Sequence, residues 1–464
     1  MVADEHIDKP HRPHDGPMLS VRVHGRSYLA AVFIGSFFSA LALYLELNLP
    51  GYILLGTSLV IIPALAATDR MIFNGKRVYR SGLLPRIWTR LFEGRFWLKL
   101  KDIEQVETRV LPALKRGGRV YFRYQTQIRG NGLEFSFSSG GKSYRRMVKA
   151  IFASLPEEVL DAGSIELRDY LEEPGQARRS AKRSDIPPAD VLEHAFRDLK
   201  TRKRVPRQAL ADIGPSSAKA ASLRLLGNQL RLSGSLLQAM ESFRRAASIQ
   251  PNDPWLLFDF ARCIQAFAGT EGSGRLERKA AAMLRLAERR AGNDGRLLAR
   301  LGESYFQIGD WHRAGLAFRK AVDAVGEQFR SICGMAEIAL RDGKLAHVVH
   351  NFNTASRLAE SPAARRWSRG EAEYFLRLNS DSEYMEMELG RVNLLDALDR
   401  WKGSVFRLCL LGFPIIGFGL YFEDAAITNA GWILSAGMLV LWTVIVLASR
   451  AFTSRIAPEL LTED

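Results

Sequence analysis

The stretch that decides the fold is LRLLGNQLRLSGSLLQAMESFRRAASIQP, Leu223 to Pro251. Leu223, Leu226, Gly227 and Leu230 recur at the steps of one helical face, and Ala239, Phe243 and Ala246 do so again further on. The set returns as Leu298, Leu301, Gly302 and Tyr305, followed by Ala314, Phe318 and Ala321. Gly227 and Gly302 stand 75 positions apart, which is two units of about 34 residues plus seven. The extra seven match GTEGSGR, expected to be a loop inside the middle unit, which keeps Leu257, Ala261 and Ile264, then Ala280, Leu284 and Ala287. A fourth unit keeps Ala336, Phe352 and Ala355, with Phe352 placed 34 positions after Phe318.

These spacings resemble the tetratricopeptide repeat. The resemblance covers residues 220–362, although the second and fourth units lack the first unit's glycine and the last two lack its terminal proline. It implies an α-solenoid of helix pairs. Small residues let the paired helices touch, a large one fills the space beside them, and stacked pairs leave a concave groove. In the family's register, the groove-facing positions are Arg224, Asn228 and Arg231; Arg262 and Gln265; Arg300, Glu303 and Phe306; and Arg330, Glu337 and Arg341. Arginine dominates, which suits a partner protein with an acidic peptide segment or a C-terminal carboxylate; the plainer alternative is an ordinary solvated face. On the partner reading, reversing charge at Arg231 and Arg300 is expected to weaken capture without unfolding the solenoid.

Two pairs of apolar runs lie outside the repeats. Tyr28–Leu49 and Tyr52–Ala67 form the first pair, Ser404–Phe422 and Ala425–Ser449 the second. Each run approaches the roughly 20 residues needed to span a bilayer. Four transmembrane helices in two hairpins are expected, over 28–68 and 404–449. A cleaved signal peptide does not explain the second run that follows the first at once. Arg22, Arg26, Arg70, Lys76, Arg77, Arg80, Arg391, Arg400, Lys402, Arg450 and Arg455 flank the outer ends of the hairpins, whereas the connecting loops hold no Lys or Arg and the second carries Glu423 and Asp424. This bias places both termini and the middle of the chain in the cytoplasm, and the membrane is expected to be a bacterial inner one. Ala31, Gly35 and Ser39, and Gly431 with Ser435, are small-residue stripes expected to pack the two hairpins together or to join an oligomer.

Residues 69–163 change period. GRFWLKLKDIEQVETRV and RVYFRYQTQI alternate, Asn74-Gly75 reads as a hairpin turn, and SYRRMVKAIFASLPEEVL turns helical. Strands closed by one helix give the order of a small β-barrel in an α+β domain. KRVYRSGLL and LKLKDIEQVET resemble bacterial pleckstrin-homology-like (PH-like) domains, which implies a binding or oligomerising module and no enzyme. From Asp69 to Ala150 there are 19 basic against 6 acidic residues, most of the chain's +15. A cationic face against an anionic membrane is the expected use, with Lys76, Arg77, Arg80, Arg86 and Arg90 as its residues, ahead of a solvated face or a nucleic-acid site.

The remaining stretches are expected to be a disordered tail over 1–27, a linker with a short helix over 164–219, capping helices over 363–403 and a tail over 450–464. The tail histidines His6, His11, His14 and His24 could bind a metal but read better as part of a polar tail. Cys263, Cys333 and Cys409 form no metal or disulfide pattern. No phosphate loop, nucleophile elbow or HExxH occurs, and His347 with His350 lacks an acid to complete a site. The reading is a non-enzymatic, cofactor-free membrane adaptor that recruits protein partners. A subunit of a larger membrane enzyme, secretion or organelle complex is the alternative.

Overall fold

The computed structural model describes residues 18–23, 26–86, 96–116, 119–193, 217–453 and 455. The chain divides into two compact units, one built from residues up to 24 and 69–372, the other from 25–68 and 373 onward.

The first unit begins with two antiparallel sheets. Strands β1 (Leu19–Arg22), β2 (Arg70–Phe73), β3 (Arg77–Ser81) and β4 (Trp97–Lys99) pair in order. Strands β5 (Gln105–Arg116), β6 (Arg119–Gly130) and β7 (Leu133–Ser139) form the second. The hairpin turn falls where Asn74-Gly75 placed it: Asn74 Oδ1 accepts from the backbone N–H of Arg77 at 2.9 Å, and Gly75 takes φ +83°. β1 corrects the expected disordered tail over its four residues. Val21 joins Met71 and Phe73 in the core, and Leu19 pairs with Phe73 across the ladder.

The expected closed barrel is also corrected. Among the described residues the two sheets share no strand pairing, because a 3-10 turn at Leu100–Asp102 separates them. Pro112, without an N–H, and a bulge beside it interrupt edge strand β5. One apolar core joins the sheets instead. Helix α3 (Lys142–Ala153) closes it by burying Tyr144, Met147, Val148, Ile151 and Phe152.

Two helices follow where a linker was expected: α4 (Ala162–Tyr170) and α5 (Pro174–Arg183). Ala177 and Ala181 of α5 are buried beside Leu223 and Leu226, so this segment belongs to the folded unit. Most of the short helix expected over 189–200, and all of 201–216, lie outside the described residues.

The repeats fold as four helix hairpins. They are α6 (Ser217–Leu232) with α7 (Leu236–Ile249), α8 (Pro254–Glu271) with α9 (Gly274–Arg290), α10 (Gly295–Gln307) with α11 (Trp311–Val325), and α12 (Phe329–Arg341) with α13 (Leu345–Leu358). A Cβ at Gly302 would stand 2.6 Å from the Phe318 ring, and one at Gly227 would stand 2.8 Å from Phe243. The glycine is therefore what admits the large residue of the partner helix. GTEGSGR is not a loop: it lengthens α8 and α9, leaving only Gly272 (φ +60°) and Ser273 between them.

Helix α14 (Pro362–Ser380) runs on from the repeats. The second unit holds four helices long and apolar enough to cross a membrane: α1 (Arg26–Tyr44), α2 (Asn48–Thr68), α15 (Ser382–Tyr421) and α16 (Ala425–Ala451). α2 contains a π turn at Thr57–Ile61, just before Pro63, whose ring would clash with an α-helical carbonyl. Gly35, Ser39, Gly431 and Ser435 each pack within their own hairpin. Ser39 Oγ donates to Gly51 O at 2.8 Å, and Ser435 Oγ donates to Cys409 O at 3.1 Å. Aromatic residues join the hairpins to each other. Phe37 lies 5.8 Å from Phe413 and 5.4 Å from Trp432, and Tyr44 Oη donates to Asn429 Oδ1 at 2.9 Å. The expected second capping helix is the beginning of the 40-residue α15, which continues into the third apolar run.

Candidate functional site

The inner helices α6, α8, α10 and α12 carry the polar residues expected to line a groove, and the chain fills that groove itself. The filling segment is Glu157–Tyr170, a 3-10 turn followed by α4. Its start is tied to β5: the Asp161 N–H donates to Val106 O at 3.0 Å. The Asp161 carboxylate then accepts from the Ser164 N–H at 2.8 Å and the Thr108 N–H at 3.2 Å, capping α4. Burial pushes this carboxyl up despite those bonds.

Glu166 is the centre of the site. It is 5% exposed and pairs with Arg231 at 3.0 Å and Arg262 at 3.1 Å. Burial alone would raise its carboxyl, but Arg231, Arg262 and Arg300 outweigh that and bring it down to about 2. Arg224 and Asn228 both hold Asp259, at 2.6 and 2.8 Å, and Asn228 also accepts from Arg231. Arg330 pairs with Glu303 and donates to the carbonyls of Glu157 and Leu160 at 3.1 and 2.8 Å. Glu157 meets Arg168 at 3.2 Å and Arg296 at 3.4 Å. Glu158 accepts the backbone N–H groups of Glu360 and Ser361 at 2.9 and 3.0 Å.

Arg231, Arg262 and Arg330, among the residues expected to line a groove, meet an acidic segment, and that segment belongs to the same chain. Openings among the described residues border the plug. Gln265, Arg262 and Val110 border one of about 460 Å³. Arg224, Trp255 and Arg300 border one of about 220 Å³. Glu303, Phe306, Arg330 and Glu337 border one of about 200 Å³. Glu337 is recessed there yet open to solvent. Desolvation first, and the Glu303 carboxylate second, push its carboxyl up to about 7. Arg341 stacks on Trp311 at 3.8 Å and borders none of these openings.

The residues expected at a membrane surface are put to mixed uses. Lys76 is exposed in the β2–β3 turn. Arg77 lies over Trp97 at 4.7 Å. Arg80 is corrected as a free surface cation, because it grips the buried Asp69 at 2.9 and 2.5 Å. Arg86 is exposed, and Arg90 lies outside the described residues, as do His6, His11 and His14. His347 and His350 are exposed on α13. The residue missed from sequence was Glu166, whose pairing with Arg231 spans 65 positions and leaves no local pattern.

No family model matches the chain, and no curated protein matches it. Among solved structures it is similar to one described as "Crystal structure of APC/C hetero-tetramer Cut9-Hcn1", at 14% identity over 66% of this chain and 52% of that one, with a TM-score of 0.29. This chain therefore spans about half the length of that relative, and a score so low does not equate the two folds.

Proposed function

We propose that the protein is a membrane-anchored scaffold whose sheet and repeat unit presents protein-binding surfaces on the cytoplasmic face of a bacterial inner membrane. The observation that carries this reading is the pairing of β1 with β2. Arg22 stands opposite Arg70, and the Val23 N–H donates to Asp69 O at 3.3 Å. The segments before and after the first apolar hairpin are therefore partners in one ladder, which suits an even number of membrane crossings between them. The basic residues flanking both hairpins favour the cytoplasm for that side. Two sheets of four and three strands closed by α3 also suit the PH-like reading, with Lys76 and Arg86 facing anionic lipid.

The filled groove changes what the scaffold offers. The inner arginines hold the repeats onto the sheet domain, so partners use the openings around α4 and the outer helices. An assembly subunit of a larger membrane complex is the second reading. Cysteine accessibility on intact cells tests the topology in a cysteine-free background. Glu46→Cys and Glu423→Cys should react with an impermeant maleimide, while Lys76→Cys and Lys320→Cys should react only after permeabilisation. The reverse pattern would overturn the reading.

A further inference from the structure

The opening between α10, α12 and the start of the plug has a chemistry opposite to the one that the arginines suggested. Its walls include the rings of Phe306, Phe329 and Trp367. The Phe329 and Trp367 rings lie 6.3 Å apart at 60°. Its acids are Glu303 and Glu337 on the repeat helices, with Glu104, Glu158 and Asp161 from the sheet and plug side of the chain. Its one cation, Arg330, is spent on Glu303 and on the Glu157 and Leu160 carbonyls. Glu104 has Arg366 at 3.6 Å, Glu158 has two backbone N–H groups, and Asp161 caps α4. Glu337 has no hydrogen bond or ion pair among the described residues.

A carboxylate with no hydrogen bond or ion pair of its own, bordering a space lined by aromatic rings, suits an ammonium or guanidinium group, which gains both the ion pair and the ring contacts. Arg330 already shows a guanidinium satisfied on the same wall. The space, about 200 Å³, is small for a folded element and ample for one long side chain.

We propose that this opening is a docking socket for a lysine or arginine side chain of a partner protein, held by Glu337 against the Phe306, Phe329 and Trp367 rings. The proposal rests on the scaffold reading and names the partner's chemistry. Affinity falls on acidification, as Glu337 takes up its proton. The titratable and charged groups that line the opening with Glu337 are Glu303, Arg330, Cys333, Glu158, Asp161 and Glu104.

The test uses the full-length protein in detergent and a labelled pentapeptide with one central lysine, beside its norleucine counterpart, in equilibrium dialysis at pH 8 and pH 5.5. The lysine peptide should saturate at pH 8, bind about tenfold more weakly to Glu337→Gln, weaken at pH 5.5 and exceed the norleucine peptide throughout. Equal retention of the two peptides, equal affinity for wild type and Glu337→Gln, or no saturation below about 10 mM would overturn the socket. A cooperative melting transition for Glu337→Gln, no lower than that of the wild type, separates lost binding from lost fold. The cysteine-accessibility pattern stands or falls separately, so failure of the socket and failure of the scaffold are distinguishable.

Discussion

Glu166 and Glu337 carry opposite linkages to stability. The folded-state carboxyl of Glu166 lies at about 2, below its unfolded value. Its contribution is therefore present above roughly pH 4.5 and lost as pH falls towards 2. Glu166→Gln leaves Arg231 and Arg262 buried without their carboxylate and should cost about 3–5 kcal/mol, read from denaturant unfolding at pH 7. Glu337 runs the other way. Its carboxyl at about 7 favours the folded state while protonated, so that contribution is lost as pH rises from about 4.5 through 7. Glu337→Gln should raise the melting temperature at pH 8 and leave it unchanged at pH 4. Gly302→Ala should destabilise by about 1–3 kcal/mol, because its Cβ would press on the Phe318 ring.

At the scale of elements, the repeat helices were legible and the plug was not. Leu223, Gly227, Ala239 and Phe243 repeat because each hairpin must solve the same packing problem, and the buried Phe243 and Phe318 rings occupy equivalent places. α4 solves a problem posed once, far away in sequence, so nothing in ELRDYLEE marks it as groove-filling. β1 was missed for a related reason: four residues are too short for a period, and their partner strand lies beyond an entire apolar hairpin. The small-residue stripes were read in the right helices, but composition cannot tell packing within a hairpin from packing between hairpins. The plug also reverses one expectation. Arg231→Glu with Arg300→Glu would place two acids around Glu166, so the double variant should lose the folded repeat unit and not merely a partner. Loss of the cooperative unfolding transition in circular dichroism would show it.

For the whole molecule, the sequence separated the apolar hairpins from the soluble regions but divided the soluble part too finely. Sheet and repeat residues share one core: Tyr124 and Phe137 belong to the same apolar cluster as Leu232, Phe329 and Ala364. The arginines that invited a reading as a peptide receptor are the polar counterpart of that core. The central claim is that Glu157–Tyr170 is a built-in occupant of the repeat groove. Hydrogen exchange of the full-length protein in detergent tests it most directly. The backbone amides of α4 should be protected to the same degree as those of α8. Exchange of the α4 amides at the rate of an open linker, while α8 stays protected, would contradict it.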